Sequence, residues 1–238
     1  MGGRMKTPLA WWTMLWSTLL LIASCAQAAD VPRFRITIPS GADRFDPGGA
    51  VQFVGKATVL VRVRGLAVLV DPGSDDGTAD AWQAAQLADV VLLSQPDAPA
   101  LAAWSARPVV AMTGTAAVLR GQGWQSVYPL DTWEGITIRK GDTRLRLTAM
   151  PDPRGMRPAT LAAMLDFGPA CRVLVHHGAL ANDDIALIPQ RFPGARLALL
   201  RQDGTPSLLT VHPGGHEATL RHPVARGQPY RFGSADCR

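Results

Sequence analysis

Short runs of alternating apolar and polar residues, separated by Gly and Pro, dominate the chain beyond its first thirty or so positions. Arg33–Ile38 alternates, whereas Leu66–Val70 is apolar throughout and is followed by Asp71-Pro72-Gly73. The first pattern is typical of a strand with one exposed face, and the second of a strand buried on both faces. Strands are predicted at Arg33–Ile38, Ala50–Val54, Thr58–Val63, Leu66–Val70, Asp89–Ser94, Val109–Met112, Ser126–Leu130, Glu134–Arg139, Thr143–Ala149, Leu161–Phe167, Arg172–His176, Ala195–Leu200, Ser207–Val211, Glu217–Leu220 and Tyr230–Phe232.

Three segments between these strands have helical composition. They are Ala79–Leu87, Gly114–Gly121 and Asp183–Arg191, and Asn182 or Asp183 is the expected N-cap of the third. Many strands with a few helices between them predict packed sheets with helices on the outside. The sequence shows no repeat or linker after the leader, so a single domain is predicted.

The first 28 residues have the order of a secretory signal. Arg4 and Lys6 precede an apolar stretch from Leu9 to Ala23, and Ala26-Gln27-Ala28 places small residues where a signal peptidase reads them. The apolar stretch is shorter than the ~20 residues of a spanning helix, so an uncleaved anchor is the less favoured interpretation. We expect residues 1–28 to be removed, and residues 29–238 to form one domain that is periplasmic or secreted.

A second interpretation of the leader ends at Cys25. Ile22-Ala23-Ser24-Cys25 resembles a bacterial lipobox, with Ile where Leu is usual. Lipidation of Cys25 would anchor the protein to the cell envelope, whereas cleavage after Ala28 would release it, and the sequence favours release slightly. A start at Met5 instead of Met1 would leave a sufficient signal in either case.

Charge and cysteine content narrow the expected partners. The leader contains two basic and no acidic residues, so the mature net charge is 22 − 19 = +3. The basic residues are scattered in short runs, which does not indicate nucleic-acid binding, and contact with a membrane is expected only if Cys25 is lipidated. Cys171 and Cys237 remain after the leader and are a candidate disulfide in an oxidising compartment, with two unlinked thiols as the alternative.

Several motifs, in order, resemble the metallo-β-lactamase superfamily, particularly its UlaG-like branch. Val54-Gly55-Lys56-Ala57-Thr58-Val59-Leu60 is similar to the G-H-A-T-x-L strand start of that branch, and Leu69-Val70-Asp71-Pro72 to its T-D-P strand end. Residues 88–94 are similar to its D-x-V-L-L-S strand. Residues 173–178, followed by a helix and Ala195–Leu200, are similar to a later stretch. The resemblance implies an αββα sandwich, in which two mixed β-sheets pack face to face with helices outside and a metal site lies at one edge.

The metal ligands that the resemblance implies are mostly absent from this chain. At the positions of the family's H-x-H-x-D-H motif stand Gln95, Asp97, Pro99 and Ala100, of which only Asp97 is a good ligand. Two further ligand positions correspond to Arg154 and His177, and an arginine would place a fixed positive charge beside the cation. We therefore expect no metal cofactor.

The remaining histidines do not restore the motif. All five, His176, His177, His212, His216 and His222, follow the region where most family ligands lie. His212 and His216 are separated by Pro-Gly-Gly, which indicates a turn between strands more strongly than a metal site. Lys56, Asp71, Asp97 and His177 are candidate functional residues, which the fold would bring together as a salt-bridge network replacing the metal or, less favoured, as a catalytic group.

Three hypotheses follow for the function. The leading one is a non-catalytic or metal-independent protein that binds an unknown protein or small molecule in the cell envelope, or acts as a scaffold there. The alternative is a metal-dependent hydrolase of esters, phosphodiesters or lactams, with zinc in a rearranged site around Asp97, Asp152, His176 and His177. A third is a solute-binding or adhesion module, which predicts a concave apolar pocket without convergent charges.

Overall fold

The structure is a computed structural model, and it describes residues 33–40, 48–55, 58–73, 83, 85–94, 101–151, 162–168, 171–176, 180–202, 205–211, 219–222, 225 and 227–232. The chain divides into two units, Met1–Val31 and Pro32–Arg238, and the described residues all belong to the second. The predicted signal and the candidate lipidation site at Cys25 therefore lie outside the described residues.

The described strands form two sheets. The eight-stranded sheet has the order β1-β8-β9-β10-β11-β12-β13-β14, and the seven-stranded sheet has the order β15-β2-β3-β4-β5-β6-β7. The strand bounds are β1 Phe34–Ile38, β2 Gly49–Phe53, β3 Val59–Val63, β4 Leu66–Val70, β5 Val90–Leu93, β6 Val109–Met112, β7 Val127–Leu130, β8 Gly135–Lys140, β9 Thr143–Met150, β10 Ala162–Asp166, β11 Arg172–His176, β12 Leu197–Gln202, β13 Thr205–Val211, β14 Thr219–His222 and β15 Pro229–Phe232.

Both sheets are mixed, as predicted. In the seven-stranded sheet, β15, β2, β3 and β4 pair antiparallel, whereas β4, β5, β6 and β7 pair parallel. In the eight-stranded sheet the pairs β1–β8 and β11–β12 are parallel and the others antiparallel. The parallel strands β4 and β5 are apolar and buried, which is the pattern that strands covered on both faces require.

Three apolar clusters show how the layers pack. The largest lies between the sheets and includes Val61, Val68 and Leu147. A second covers the outer face of the seven-stranded sheet, and a third, around Phe192, covers the outer face of the other. Apolar side chains on both faces of each sheet mean that helices flank the sheet pair, so the predicted metallo-β-lactamase-like αββα sandwich is confirmed.

One of the predicted helices differs clearly from the prediction. Helix α1 spans Thr113–Gly121, close to its prediction, but the predicted helix Asp183–Arg191 is two helices, α2 Asn182–Ala186 and α3 Ile188–Arg191. Pro189 explains the break, because a proline inside one continuous helix would remove a hydrogen bond and clash with the preceding turn. The N-cap prediction is also wrong, because α2 is capped at Ala181 without a side-chain hydrogen bond.

Two smaller elements complete the comparison. A 3₁₀ helix at Leu101–Trp104 was not predicted. Ala79–Leu87 is described only at Gln83 and from Ala85 onward, so most of this predicted helix lies outside the described residues. Within the described part of the chain, no helix is long and apolar enough to cross a membrane.

Polar contacts between the sheets identify one end of the sandwich. The Thr143 hydroxyl, at the start of β9, donates to the carbonyl of Arg64 in the β3–β4 turn at 2.7 Å. Lys140, at the end of β8, pairs with Asp89, just before β5, at 3.0 Å. We call this end the turn edge. The strands β4, β5 and β11 run away from it, so Asp71, Ser94 and His176 lie at the opposite end, which we call the carboxyl edge.

Arg33 and Glu134 fix the entry into the first strand. The Arg33 guanidinium contacts both carboxylate oxygens of Glu134, at 2.6 and 2.7 Å, and the Asp131 amide donates to the same carboxylate at 2.8 Å. Desolvation raises the pKa of Glu134, but the Asp131 hydrogen bond and the Arg33 charge outweigh it, so that this pKa lies below its ordinary value.

Candidate functional site

The sequence resemblance predicts a functional site at the carboxyl edge. Asp71 is a buried polar residue at this edge. Asp71 follows β4 and is 5% exposed. Its φ of 46° is in the left-handed region, which Asp tolerates better than most residues do. The turn at this position directs the carboxylate toward the neighbouring strand β5 rather than along β4.

Ser94 donates hydrogen bonds to both oxygens of that carboxylate. The Ser94 amide donates to one Asp71 oxygen at 2.7 Å, and the Ser94 hydroxyl donates to the other oxygen. Ser94 is completely buried. Both bonds are charge-assisted and shielded from water, so they hold the end of β5 firmly to the end of β4.

Thr58 supports the same turn from β3. Its hydroxyl donates to the Asp71 carbonyl at 2.9 Å and accepts from the Gly73 amide at 3.0 Å. Thr58 is 2% exposed, and its own carbonyl accepts hydrogen bonds from the amides of Val54 and Gly55. Loop backbone on three neighbouring strands is therefore held by one small polar cluster, formed by Thr58, Asp71 and Ser94.

His176 is a second buried titratable side chain at this edge. It ends β11 and is 2% exposed. His212 and His216 belong to segment 212–218. The two residues that flank this segment, Val211 and Thr219, pair with each other at the turn edge of the eight-stranded sheet. Val211, the residue before His212, lies four residues along the ladder from the position level with His176, about 13 Å at a strand's rise, and one strand lies between them.

Most of the residues singled out by the sequence lie outside the described residues. They are Cys25, Lys56, Gln95, Asp97, Pro99, Ala100, Asp152, Arg154, His177 and Cys237. The convergence of Lys56, Asp97 and His177 with Asp71 accordingly stays a prediction. Cys171 is described: it is 1% exposed and is disulfide-bonded. Its pairing with Cys237 is the prediction of the sequence, because Cys25 would leave with the leader.

The described donors do not fit a two-metal centre of the family type. Among the residues that the structure describes, no three His, Cys, Asp or Glu side chains lie close enough to hold a metal ion together. Both Asp71 oxygens accept hydrogen bonds from Ser94, which gives this carboxylate a structural role. We therefore derive no reaction step through a metal.

Sequence reasoning missed the structural part of this cluster. Asp71 was a candidate for its place in the T-D-P resemblance, but Ser94 and Thr58 were not connected with it. The register that aligns Val70 with Leu92 brings Asp71 and Ser94 together. A polar residue directly after each of two adjacent parallel strands is the signal that would have predicted the contact.

Similarity to known proteins is found among solved structures. No family model and no curated protein matches the chain. Metallo-β-lactamase-fold proteins are among the solved structures similar to it. MEM-A1, a subclass B3 metallo-β-lactamase from a soil metagenome library, is 14% identical with a TM-score of 0.43, over 68% of this chain and 80% of that one.

Two other similar solved structures are those of CmlA and PqqB. CmlA, a diiron β-hydroxylase from Streptomyces venezuelae, is 20% identical with a TM-score of 0.45, over 66% of this chain. This chain covers 35% of CmlA. Zn²⁺-bound PqqB from Methylobacterium extorquens is 16% identical with a TM-score of 0.41, over 60% of this chain and 58% of that one. These similarities concern the fold alone, and the UlaG-like likeness stays a prediction of the sequence.

Proposed function

We propose that this chain is an exported protein of the cell envelope that binds a partner or acts as a scaffold, and that its carboxyl edge works without a family-type metal pair. The observation that carries the proposal is the set of residues at the family's ligand positions, where Gln95, Pro99 and Ala100 stand in place of metal-binding residues. The Asp71–Ser94 contact supports it, because a buried carboxylate whose two oxygens both accept hydrogen bonds from one neighbour holds strand ends together.

The sequence of residues 95–100 supports the same conclusion. Ser94 leads directly into the segment where the family motif is expected, and Pro99 and Ala100 have no side-chain donor atom for a metal. Ligand number and type govern metal affinity strongly, so the loss of two ligands from this short segment disfavours a tightly held ion pair.

Metal analysis of the purified full-length gene product tests this proposal. We expect substoichiometric zinc, manganese and iron after gel filtration. We also expect no rise in Tm on adding zinc, since a ligand at about 100 times its Kd would stabilise the fold by roughly 2.7 kcal/mol. A screen of ester, phosphodiester and lactam substrates should show no hydrolysis above the blank.

The rival function is a metal-dependent hydrolase that uses Asp97, Asp152, His176 and His177. The burial of His176 at the carboxyl edge is the observation in its favour. This function predicts one or two equivalents of metal and an activity that His177→Ala abolishes. His212→Ala is the matched control, because the anchor of its segment lies at the other end of the sheet. Activity that is lost in the first variant and kept in the second would overturn our proposal.

Export and anchoring are tested separately by mass spectrometry of the mature protein. Cleavage after Ala28 gives an N-terminus at Ala29 in the soluble fraction. Cleavage before Cys25 gives a lipid-modified N-terminal peptide in the membrane fraction, and Cys25→Ser should then release the protein. An unprocessed N-terminus on a cytoplasmic protein would contradict export.

A further inference from the structure

A basic pocket lies at the turn edge, at the opposite end of the sandwich from the Thr58–Asp71–Ser94 cluster. Its volume is about 690 Å³, within the roughly 300–1,000 Å³ range of small-molecule sites. Five basic residues line it, together with one described carboxylate, that of Asp89. The basic lining residues are Arg62, Arg64, Arg107, Lys140 and Arg231. The described lining charges therefore sum to 5 − 1 = +4.

The sheet register explains why the pocket is open and basic. Arg62 on β3 lies directly opposite Ala50 on β2 and Ala67 on β4, and Arg231 on β15 lies opposite Ala50. Residues in one such row point to the same face of a sheet. The row therefore alternates long basic side chains with methyl groups, which leaves space above Ala50 and Ala67 between cationic walls.

Two contacts hold the basic walls in place. The Arg107 guanidinium donates to the Gln86 carbonyl at 3.0 Å. The Phe232 ring lies against Gly49, where an added Cβ would come within 1.9 Å of the ring, so β15 sits tightly on β2. This contact fixes the strand that carries Arg231. Three of the basic lining residues, Arg62, Lys140 and Arg231, are thus carried by paired strands, and Arg64 and Arg107 lie in connecting segments.

The backbone at Arg64 is a second, independent sign of function. Arg64 and Gly65 form a two-residue turn with φ of 48° and 81°. A turn with positive φ at both positions favours Asn-Gly or Asp-Gly, and a long side chain at the first position is strained. Strain of this kind is found preferentially where a side chain serves a site.

The apolar part of the lining narrows the ligand class. Ile38 and Leu87 also line the pocket, and Leu87 is 65% exposed. Guanidinium groups match the geometry of phosphate oxygens and bind them in pairs of hydrogen bonds. A ligand that has an apolar group beside a negatively charged group could cover Leu87 and contact the arginines at the same time.

We propose that the turn-edge pocket binds a phosphate group carried by a partly apolar molecule. A soluble organic phosphate and the headgroup of an anionic phospholipid share this chemistry. The proposal is independent of the carboxyl edge, so it stands whether or not a metal binds there.

Calorimetric titration of the purified full-length gene product with phenyl phosphate and with inorganic phosphate tests the site. We expect one equivalent of phenyl phosphate to bind about tenfold more tightly than inorganic phosphate, because the ring covers apolar lining. Binding should weaken with added salt, as electrostatic attraction is screened. Flotation with phosphatidylglycerol vesicles, against phosphatidylcholine vesicles, distinguishes the sources: headgroup binding gives selective flotation, and a soluble phosphate site gives calorimetric binding alone.

Two variants and a matched control complete the test. Arg62→Gln and Arg64→Asn should each weaken phenyl phosphate, or phosphatidylglycerol, by about tenfold, the loss expected for one charge-assisted pair. Arg64→Asn should also fold well, because Asn suits positive φ. Arg139→Gln removes the same charge from an exposed position outside the pocket and should change affinity less than twofold. Equal loss in all three variants, or no binding of either phosphate and no flotation, would overturn the proposal.

Discussion

Replacing Asp71 tests whether the carboxyl edge is held together as the structure indicates. Asp71→Ala removes both acceptors for Ser94 and leaves a buried amide and a buried hydroxyl without that partner. Asp71→Asn keeps one carbonyl oxygen for the Ser94 amide. It replaces the other acceptor with an amide nitrogen, to which the Ser94 hydroxyl can no longer donate.

The magnitudes follow from burial and charge. A hydrogen bond to a charged group contributes roughly 1.5–3 kcal/mol, so two bonds contribute about 3–6 kcal/mol. Alanine at φ of 46° adds about 1 kcal/mol of strain, whereas removing a carboxylate that is 5% exposed recovers part of its desolvation cost. We expect Asp71→Ala to lower the free energy of unfolding by about 3–5 kcal/mol. Asp71→Asn tolerates the backbone and should lower it by about 1–2 kcal/mol.

Urea denaturation followed by circular dichroism measures these changes. Ser94→Ala is the matched partner variant, since it removes the hydroxyl donor and keeps the amide, and it should cost about 1–2 kcal/mol. A double-mutant cycle of Asp71→Asn and Ser94→Ala should give a coupling energy of about 1 kcal/mol, because the two groups touch.

Either of two results would refute this account of Asp71. One is a change below about 1 kcal/mol for Asp71→Ala, which is the size of an ordinary surface effect. The other is strict additivity in the cycle, which would mean that Ser94 and Asp71 do not stabilise each other. A loss of bound metal in Asp71→Asn, with stability unchanged, would instead assign the carboxylate to a metal.

Three further predictions concern the rest of the fold. The pKa of Glu134 is lowered in the folded state, so the stability that this carboxylate contributes is complete above the unfolded pKa and is lost as pH falls through the folded pKa. The Tm of Glu134→Gln should therefore fall less than the Tm of the wild type between about pH 6 and pH 3. Lys140→Met leaves the Asp89 carboxylate, 8% exposed, without its cation and should cost about 2–3 kcal/mol in urea denaturation, while adding Asp89→Asn should recover part of that loss. Peptide mapping should find Cys171 linked to Cys237. Cys171→Ser should lower the free energy of unfolding by about 4 kcal/mol, because it opens a loop of 237 − 171 = 66 residues. A free Cys237 thiol would exclude this pairing.

Much of the secondary structure could be predicted from residue pattern. Leu66–Val70, Val109–Met112 and Arg172–His176 are strands with the predicted bounds. The hairpin around Gly141 is also correct, because Lys140 pairs with Thr143 across a two-residue turn. These elements are set by local chemistry: apolar runs, β-branched residues and glycine at the turn.

The errors have equally local causes. The helix predicted at Asp183–Arg191 ignored Pro189, which fits the first turn of a new helix but not the interior of a continuous one. The capping prediction followed the preference for Asn and Asp, whereas the helix places Asn182 within its first turn. The 3₁₀ helix at Leu101–Trp104 lies in a short segment whose composition does not distinguish a turn from a helix.

The sequence by itself determined the two kinds of strand. The single mature domain and the loss of metal ligands at Gln95, Pro99 and Ala100 stay predictions of the sequence. Only the tertiary structure decided what Asp71 does, because its partner Ser94 is 23 positions away and reaches it through the register of β4 and β5. The same holds for the basic pocket. Arg62 and Arg231 are 231 − 62 = 169 positions apart in the sequence, and no local pattern connects them. Both line one pocket because β15 pairs with β2, which lies beside β3, and pairing between distant strands is what a one-dimensional pattern does not contain.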